Sequence, residues 1–168
     1  EHKGIEELVS TIKKINIRNL ELLIVGGNKD DSYLRKLLHK NNRFVKHFKP
    51  IPHAKMPNLL SAIDLVVLPQ RNTKFANAQV PAKVFEAMAM KKPIIATDVS
   101  DLSEILEGCG LVIKPSLSTK NLKEKIELLI KDKNLCLSLG AAARAKCKKK
   151  YSWDAMEEKL LPVFNRIL

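Results

Sequence analysis

In the stretch VPAKVFEAMAMKKPIIATDV, residues 80–99, a lysine and a glutamate stand three apart at the start of a helical pattern. Pro81 suits the first helical position, where its missing N–H is not needed. The first turn of a helix presents unpaired N–H groups and a partial positive charge, a combination that binds phosphate. Ala82 is small and lets an anion approach, and Lys83 adds a full positive charge in the same turn. Glu86, one turn on, can accept two hydrogen bonds from a vicinal diol such as a ribose. A diphosphate at the helix start with a ribose against Glu86 is therefore stereochemically reasonable. The competing reading is a solvated lysine–glutamate pair worth roughly 0.2–0.5 kcal/mol. Position argues against it. Val84, Phe85, Ala87 and Met88 cover much of the helix, and KKPIIATD reads as a strand buried on both faces, so little decorative surface is left.

Lys3 and Gly4 are a second candidate, a lysine just before a glycine where a helix begins. If that helix lies beside the Pro81 helix, Lys3 neutralises the same phosphate. The other groups carry less. Gly26 and Gly27 make neither a G-x-G-x-x-G nor a G-x-x-x-x-G-K-[ST] loop. Asp64 and Asp98 are isolated, with no D-x-D pair, so no metal site is expected. Cys109, Cys136 and Cys147 lack metal-ligand spacing, and an odd, unpatterned count points to reduced thiols in a cytoplasmic protein. Ser100 and Ser103 lie in no nucleophile elbow. His53 is close enough to a binding loop to touch a ligand, although a solvent-facing histidine fits as well. The lysines at 146, 148, 149 and 150 read as the exposed end of a helix, where cations suit the dipole.

The elements that must position these groups are legible from periodicity. Ile5, Leu8, Val9, Ile12 and Ile15 recur at helical spacing over residues 4–15. LELLIVGG is a buried strand meeting a tight turn. Asp30 or Asp31 is placed to cap a helix whose face is Leu34, Leu37 and Leu38. RFVKHF is a short strand, KPIPHAKMPN a loop, and residues 65–68 a strongly apolar strand. Residues 71–79 show no periodicity and read as a loop into the Pro81 helix, which runs to about Met90. KPIIATD and GLVIK are strands around a short helix. From Thr119 onward the pattern is helical, with Ser152 placed to cap the last helix. Strands alternating with helices predict one Rossmann-like α/β domain over residues 1–168, a parallel sheet flanked by helices. Ligands of such sheets bind beyond the carboxyl ends of the strands. No strand precedes the first helix, and the chain opens inside a helical pattern, so a first strand and a longer protein are expected upstream.

These residues resemble a known family. PAKVFEAMAMKKPIIATD is similar to the signature of retaining glycosyltransferases of the GT-B fold, group 1 or family 4. KGIEELVSTIKKI, LELLIVGG, IPHAKMPNLLSAIDLVVLPQ, CGLVIKPSLSTKNLKEKIELLIKD and the late YSW resemble further segments of that family, in the same order. The resemblance implies two Rossmann-like domains facing a cleft, with this chain as the C-terminal, nucleotide-sugar-binding one. It implies that Lys3 holds the donor diphosphate, together with Gly4, Ala82, Lys83 and the helix start. It implies that Glu86 holds the ribose hydroxyls, that Pro50 and Ile51 lie near the base, and that Gln79 and Val80 line the donor site. Lys3 and Glu86 are thus the catalytic candidates. The chain departs from the pattern at Ala78, where the family often has a second glutamate on the donor sugar, and at Pro81, which replaces a glycine. Gln79 or Lys74 is the candidate for the sugar contact. The implied reaction passes a sugar, with retention, from a UDP or GDP carrier to a saccharide or lipid-linked acceptor of polysaccharide or glycoconjugate synthesis, without cofactor. The isolated chain is expected to bind nucleotide and transfer nothing.

Thirty Lys and Arg against eighteen Asp and Glu make a net charge of +12. That balance suits phosphorylated ligands, and is compatible with a peripheral contact at the inner face of a membrane. It also permits a basic module that binds nucleic acid or anionic membrane without catalysis, or another GT-B enzyme such as a sugar-nucleotide epimerase. With 5% aromatic residues and none interleaved with the basic runs, base stacking is poorly served, so nucleic acid is not the expected partner.

Overall fold

The computed structural model describes residues 3–27, 32–41, 43–115 and 119–167. Helix α1 (Ile5–Lys13) leads to strand β1 (Leu22–Val25), then α2 (Ser32–Asn41) and β2 (Val45–Phe48). A single 3-10 turn (His53–Lys55) and α3 (Met56–Ser61) precede β3 (Val66–Leu68). Helices α4 (Lys74–Asn77) and α5 (Lys83–Ala89) lead to β4 (Ile94–Thr97). Helix α6 (Leu102–Leu106), β5 (Leu111–Ile113), α7 (Thr119–Lys131), α8 (Lys133–Tyr151) and α9 (Trp153–Ile167) follow.

Every strand pairing is parallel. β1 pairs with β2, Leu22 opposite Val45, and β3, β4 and β5 run side by side, with Val66 opposite Ile94 and Ile95 opposite Leu111. Among the described residues these are two groups of strands, not one continuous sheet. The period of two along β4 explains the layering. Ile94 and Ala96 face a core with Val84, Met88, Leu102, Leu106 and Ala143, under α5, α6 and α8. Ile95 faces the opposite way, into a core with Leu8, Ile12, Leu122 and Ile126, under α1 and α7. Helices thus cover both faces of β3–β5, as the apolar run of KPIIATD requires.

Two expectations need revision. The aperiodic run 71–79 contains a short helix, α4, started by Thr73, whose hydroxyl accepts from the Ala76 N–H at 3.1 Å. Pro81 is not the first helical residue, because α5 begins at Lys83 with Ala82 as its cap. The Pro81 carbonyl instead accepts the Val84 N–H at 3.0 Å, so the proline sets up the turn that precedes the helix. The sheet divides between β1 and β3. The capping role of Asp30 or Asp31 lies outside the described residues. Ser152 does cap α9, its hydroxyl accepting from the Ala155 N–H at 3.2 Å.

Candidate functional site

The carboxyl ends of the strands gather the loops that sequence reasoning selected. After β1, Gly26 and Gly27 take φ of 98° and 81°, values that favour glycine, and the His47 ring donates to the Gly26 carbonyl at 2.8 Å. After β3, the buried Thr97 hydroxyl donates to the Gln70 carbonyl at 2.7 Å, tying that loop to the end of β4. The Ser100 N–H donates to Asn77 Oδ1 at 3.1 Å, and Asn77 Nδ2 donates to Asn72 Oδ1 at 2.6 Å. The loops after β3 and β4 are therefore joined by backbone and amide bonds that hold the approach to α5.

Helix α1 is anchored to the same region. Gly4 caps it in the left-handed region, φ 59°, and is buried, which lets the chain turn into the helix directly after Lys3. Arg71 reaches from the loop after β3 to two consecutive carboxylates of α1. Its guanidinium lies 2.7 Å from Glu7 Oε1 and 3.3 Å from Glu6 Oε2. The Glu7 hydrogen bond raises the Arg71 pKa, against the desolvation of the guanidinium. Sequence reasoning missed this pair, since nothing local signals a contact between residues 64 positions apart.

Lys3, Lys83 and Glu86 come together. Desolvation is the largest influence on Lys83 and lowers its pKa, the nearby Lys3 charge lowers it further, and Glu86 opposes both. The Lys3 charge thus opposes the charge on Lys83, and an anion near both would relieve that opposition. Lys83 and Glu86 do not form a direct ion pair among the described residues. Glu86, 28% exposed, has instead His53 Nε2 3.3 Å from its Oε1. Lys83 and Glu86 thus act on one another through charge without a direct contact. Backbone N–H groups of Ala82 and Lys83 find no acceptor among the described residues, whereas those of Val84, Phe85 and Glu86 are used. With only seven residues, α5 offers a weak dipole, so the lysines carry most of the positive field.

The other candidates are placed less closely. Pro50 and Ile51 precede His53 in one loop and so flank the same approach, with no bond of their own to Lys3, Lys83 or Glu86. Gln79 and Ala82 are exposed before α5, while Val80 packs against the core under it. Lys74 opens α4 and is exposed. Lys146, at the end of α8, has a structural task, its Nζ donating to the Glu104 and Glu107 carbonyls at 2.7 and 3.1 Å where α6 ends. Chemically, the cluster offers positive charge to a diphosphate and a half-buried carboxylate to a pair of hydroxyls.

Known proteins share both sequence and architecture with the chain. A GDP-mannose-dependent monoacylated alpha-(1-6)-phosphatidylinositol monomannoside mannosyltransferase of Corynebacterium glutamicum is 29% identical over 97% of this chain and 44% of its own length. The Anabaena protein Alr3699/HepE, solved with UDP-glucose, superposes with a TM-score of 0.78 at 17% identity, over 98% of this chain and 46% of its own. The C-terminal domain of a glycosyl transferase group 1 family protein, LpcC from Francisella tularensis, superposes with a TM-score of 0.72 at 23% identity, over 90% of this chain and 81% of its own. The chain thus spans less than half the length of the curated relatives it matches. With the glycosyl transferases group 1 model matching residues 1–146, on an α/β fold of parallel strands flanked by helices, the chain belongs to the group 1 glycosyltransferase family.

Proposed function

We propose that this chain is the donor-binding half of a two-domain, GT-B, retaining glycosyltransferase that takes a sugar from a UDP or GDP carrier to a saccharide or lipid-linked acceptor. The observation that carries the reading is that Lys83, at the start of α5 after the β3 loop, lies within reach of the charges of both Lys3 and Glu86. The two ammonium groups, with the unused N–H groups of Ala82 and Lys83, take the diphosphate. The Glu86 carboxylate takes the ribose diol. As the glycosidic bond breaks, the leaving diphosphate gains negative charge, and fixed cations beside it stabilise that state more than the bound donor. These lysines supply the stabilisation without a cofactor. The named donor of the Corynebacterium relative and the UDP-glucose in the HepE structure support a nucleotide-sugar ligand.

Two features support a second domain and a further strand. In the doubly wound order 3-2-1-4-5-6, β1 and β2 take the second and third places and β3–β5 the last three. The first strand then belongs between β1 and β3, where the sheet divides. Helix α9 leaves Trp153, Leu160, Leu161, Val163 and Phe164 exposed, Trp153 by 90%, an apolar stripe that a second domain would cover. The LpcC domain, matched over most of its length, supports the C-terminal placement. The chain by itself then binds nucleotide without transferring sugar.

Calorimetric titration with UDP and GDP tests the reading. One of them should bind, and Glu86→Ala should weaken it roughly tenfold or more, the loss of hydrogen bonds to a charged group. Binding of any polyanion that falls steeply with salt and ignores Glu86→Ala would favour a basic non-catalytic module instead.

A further inference from the structure

We infer that His53 is a positioning residue for the nucleotide ribose, holding the Glu86 carboxylate in the orientation that reads the diol. The inference rests on Glu86 being the diol residue, and adds a second residue to that contact. Glu86 has three side-chain torsions, and among the described residues His53 Nε2 is the one basic nitrogen within ion-pair distance of its carboxylate. Lys83, three residues earlier, acts on it through charge but makes no direct ion pair with it among the described residues. A single contact at 3.3 Å from Nε2 to Oε1 therefore sets where the second oxygen points.

His53 is built to make that contact from a fixed root. Pro52 precedes it with φ −53°, its carbonyl accepts the Lys55 N–H at 2.9 Å, and the resulting 3-10 turn starts at His53 itself. The imidazole is 87% exposed, so it reaches Glu86 from the solvent side and leaves the rest of the carboxylate open. A carboxylate has about four lone-pair sites, so a contact at one oxygen leaves enough to accept two hydroxyl protons. A carboxylate already oriented loses less freedom when the diol arrives, and that saving appears as affinity for the hydroxylated sugar alone. The consequence is discrimination between ribo- and 2′-deoxyribonucleotides.

The test compares UDP with 2′-deoxy-UDP, and GDP with 2′-deoxy-GDP, by calorimetry on the intact protein and on His53→Ala, His53→Gln and Glu86→Gln. The parent should prefer the ribonucleotide about tenfold or more. His53→Ala should lower that preference about threefold or more, while the deoxy ligand binds within about twofold of parent. His53→Gln, whose amide N–H reaches a similar distance, should restore most of it, and unchanged melting temperatures would show that the fold is intact. A parent preference that His53→Ala leaves untouched, or enlarges, overturns the positioning role and leaves Glu86 as the diol residue. No preference in the parent, or no binding of either nucleotide, overturns both readings together.

Discussion

Gly140 offers a test in which two known effects have opposite signs. It is buried in the middle of α8, where the helix crosses the turn that ends α5. A Cβ on Gly140 would lie 2.1 Å from the Lys91 carbonyl oxygen and 2.9 Å from its carbon, more than an ångström inside ordinary contact. The obstacle is backbone and is held in place. Lys91 has φ 55°, its N–H bonds to the Met88 carbonyl at 3.1 Å, and the Lys92 N–H bonds to the Ala87 carbonyl at 3.0 Å. Arg144 of α8 adds a bond to the Ala89 carbonyl at 2.6 Å. Helix propensity alone would make Gly140→Ala stabilising by roughly 1 kcal/mol. Overpacking against a rigid wall costs about 1–3 kcal/mol or more. Because the overlap is with a carbonyl that cannot rotate away, packing should win, and the net loss should be about 1–2 kcal/mol. For a chain of this size that lowers the melting temperature by roughly 2–8 °C. Thermal unfolding and urea titration measure it, with Ala141→Gly as control: Ala141 is exposed on the same helix, and its loss should follow propensity alone, about 1 kcal/mol. A Gly140→Ala protein as stable as the parent, or more so, would refute the close approach of α8 to α5.

Three further outcomes are expected. Lys83→Met should weaken UDP or GDP binding roughly tenfold to hundredfold, the worth of a charge-assisted contact, while stability stays within about 0.5 kcal/mol of the parent. Its sign with pH is set by the lowered pKa: the charged lysine opposes folding at neutral pH, and that penalty fades as pH rises through the folded pKa toward the unfolded one, so any stability gained by the variant should shrink in alkali. Arg71→Ala should cost about 1–2 kcal/mol in denaturant titration, because it leaves Glu7 with its buried Oε2 and no guanidinium. It should also weaken nucleotide binding, since that ion pair ties α1, and Lys3 before it, to the loop after β3. Burial raises the pKa of Cys109, Cys136 and Cys147, so alkylation at pH 7.5 should be slow in the fold and fast in denaturant. The stability held by keeping these thiols protonated is full below the unfolded thiol range of about 8.5 and is lost as pH climbs through the raised folded values.

Much of this molecule was legible in one dimension. Strands such as Ile94–Thr97 and helices such as α7 follow from runs and periods of apolar residues, because burial on a sheet or along a helix stripe repeats every two or about 3.6 residues. The reduced thiols, the cap at Ser152 and the family signature around Lys83 and Glu86 needed no coordinates. Local pattern failed where few residues were involved. The one-turn α4 is too short to show a period, and Thr73 as its cap was the signal that would have found it. Pro81 fitted a helix start by type, yet the chain spends two more residues on the preceding turn.

What tertiary structure alone decided is which charged group meets which. From spacing, Glu86 had Lys83 as its natural partner, three residues away on one helix. Folding gives it His53 instead, from a loop after β2, because parallel strands bring every following loop to the same end of the sheet. Lys83 comes within reach of the Lys3 charge, and Arg71, from the loop after β3, finds Glu6 and Glu7 on α1. Residue types fix what chemistry is available. Only the crossing of helices and strands, which sequence separation does not encode, sets the distances at which it acts.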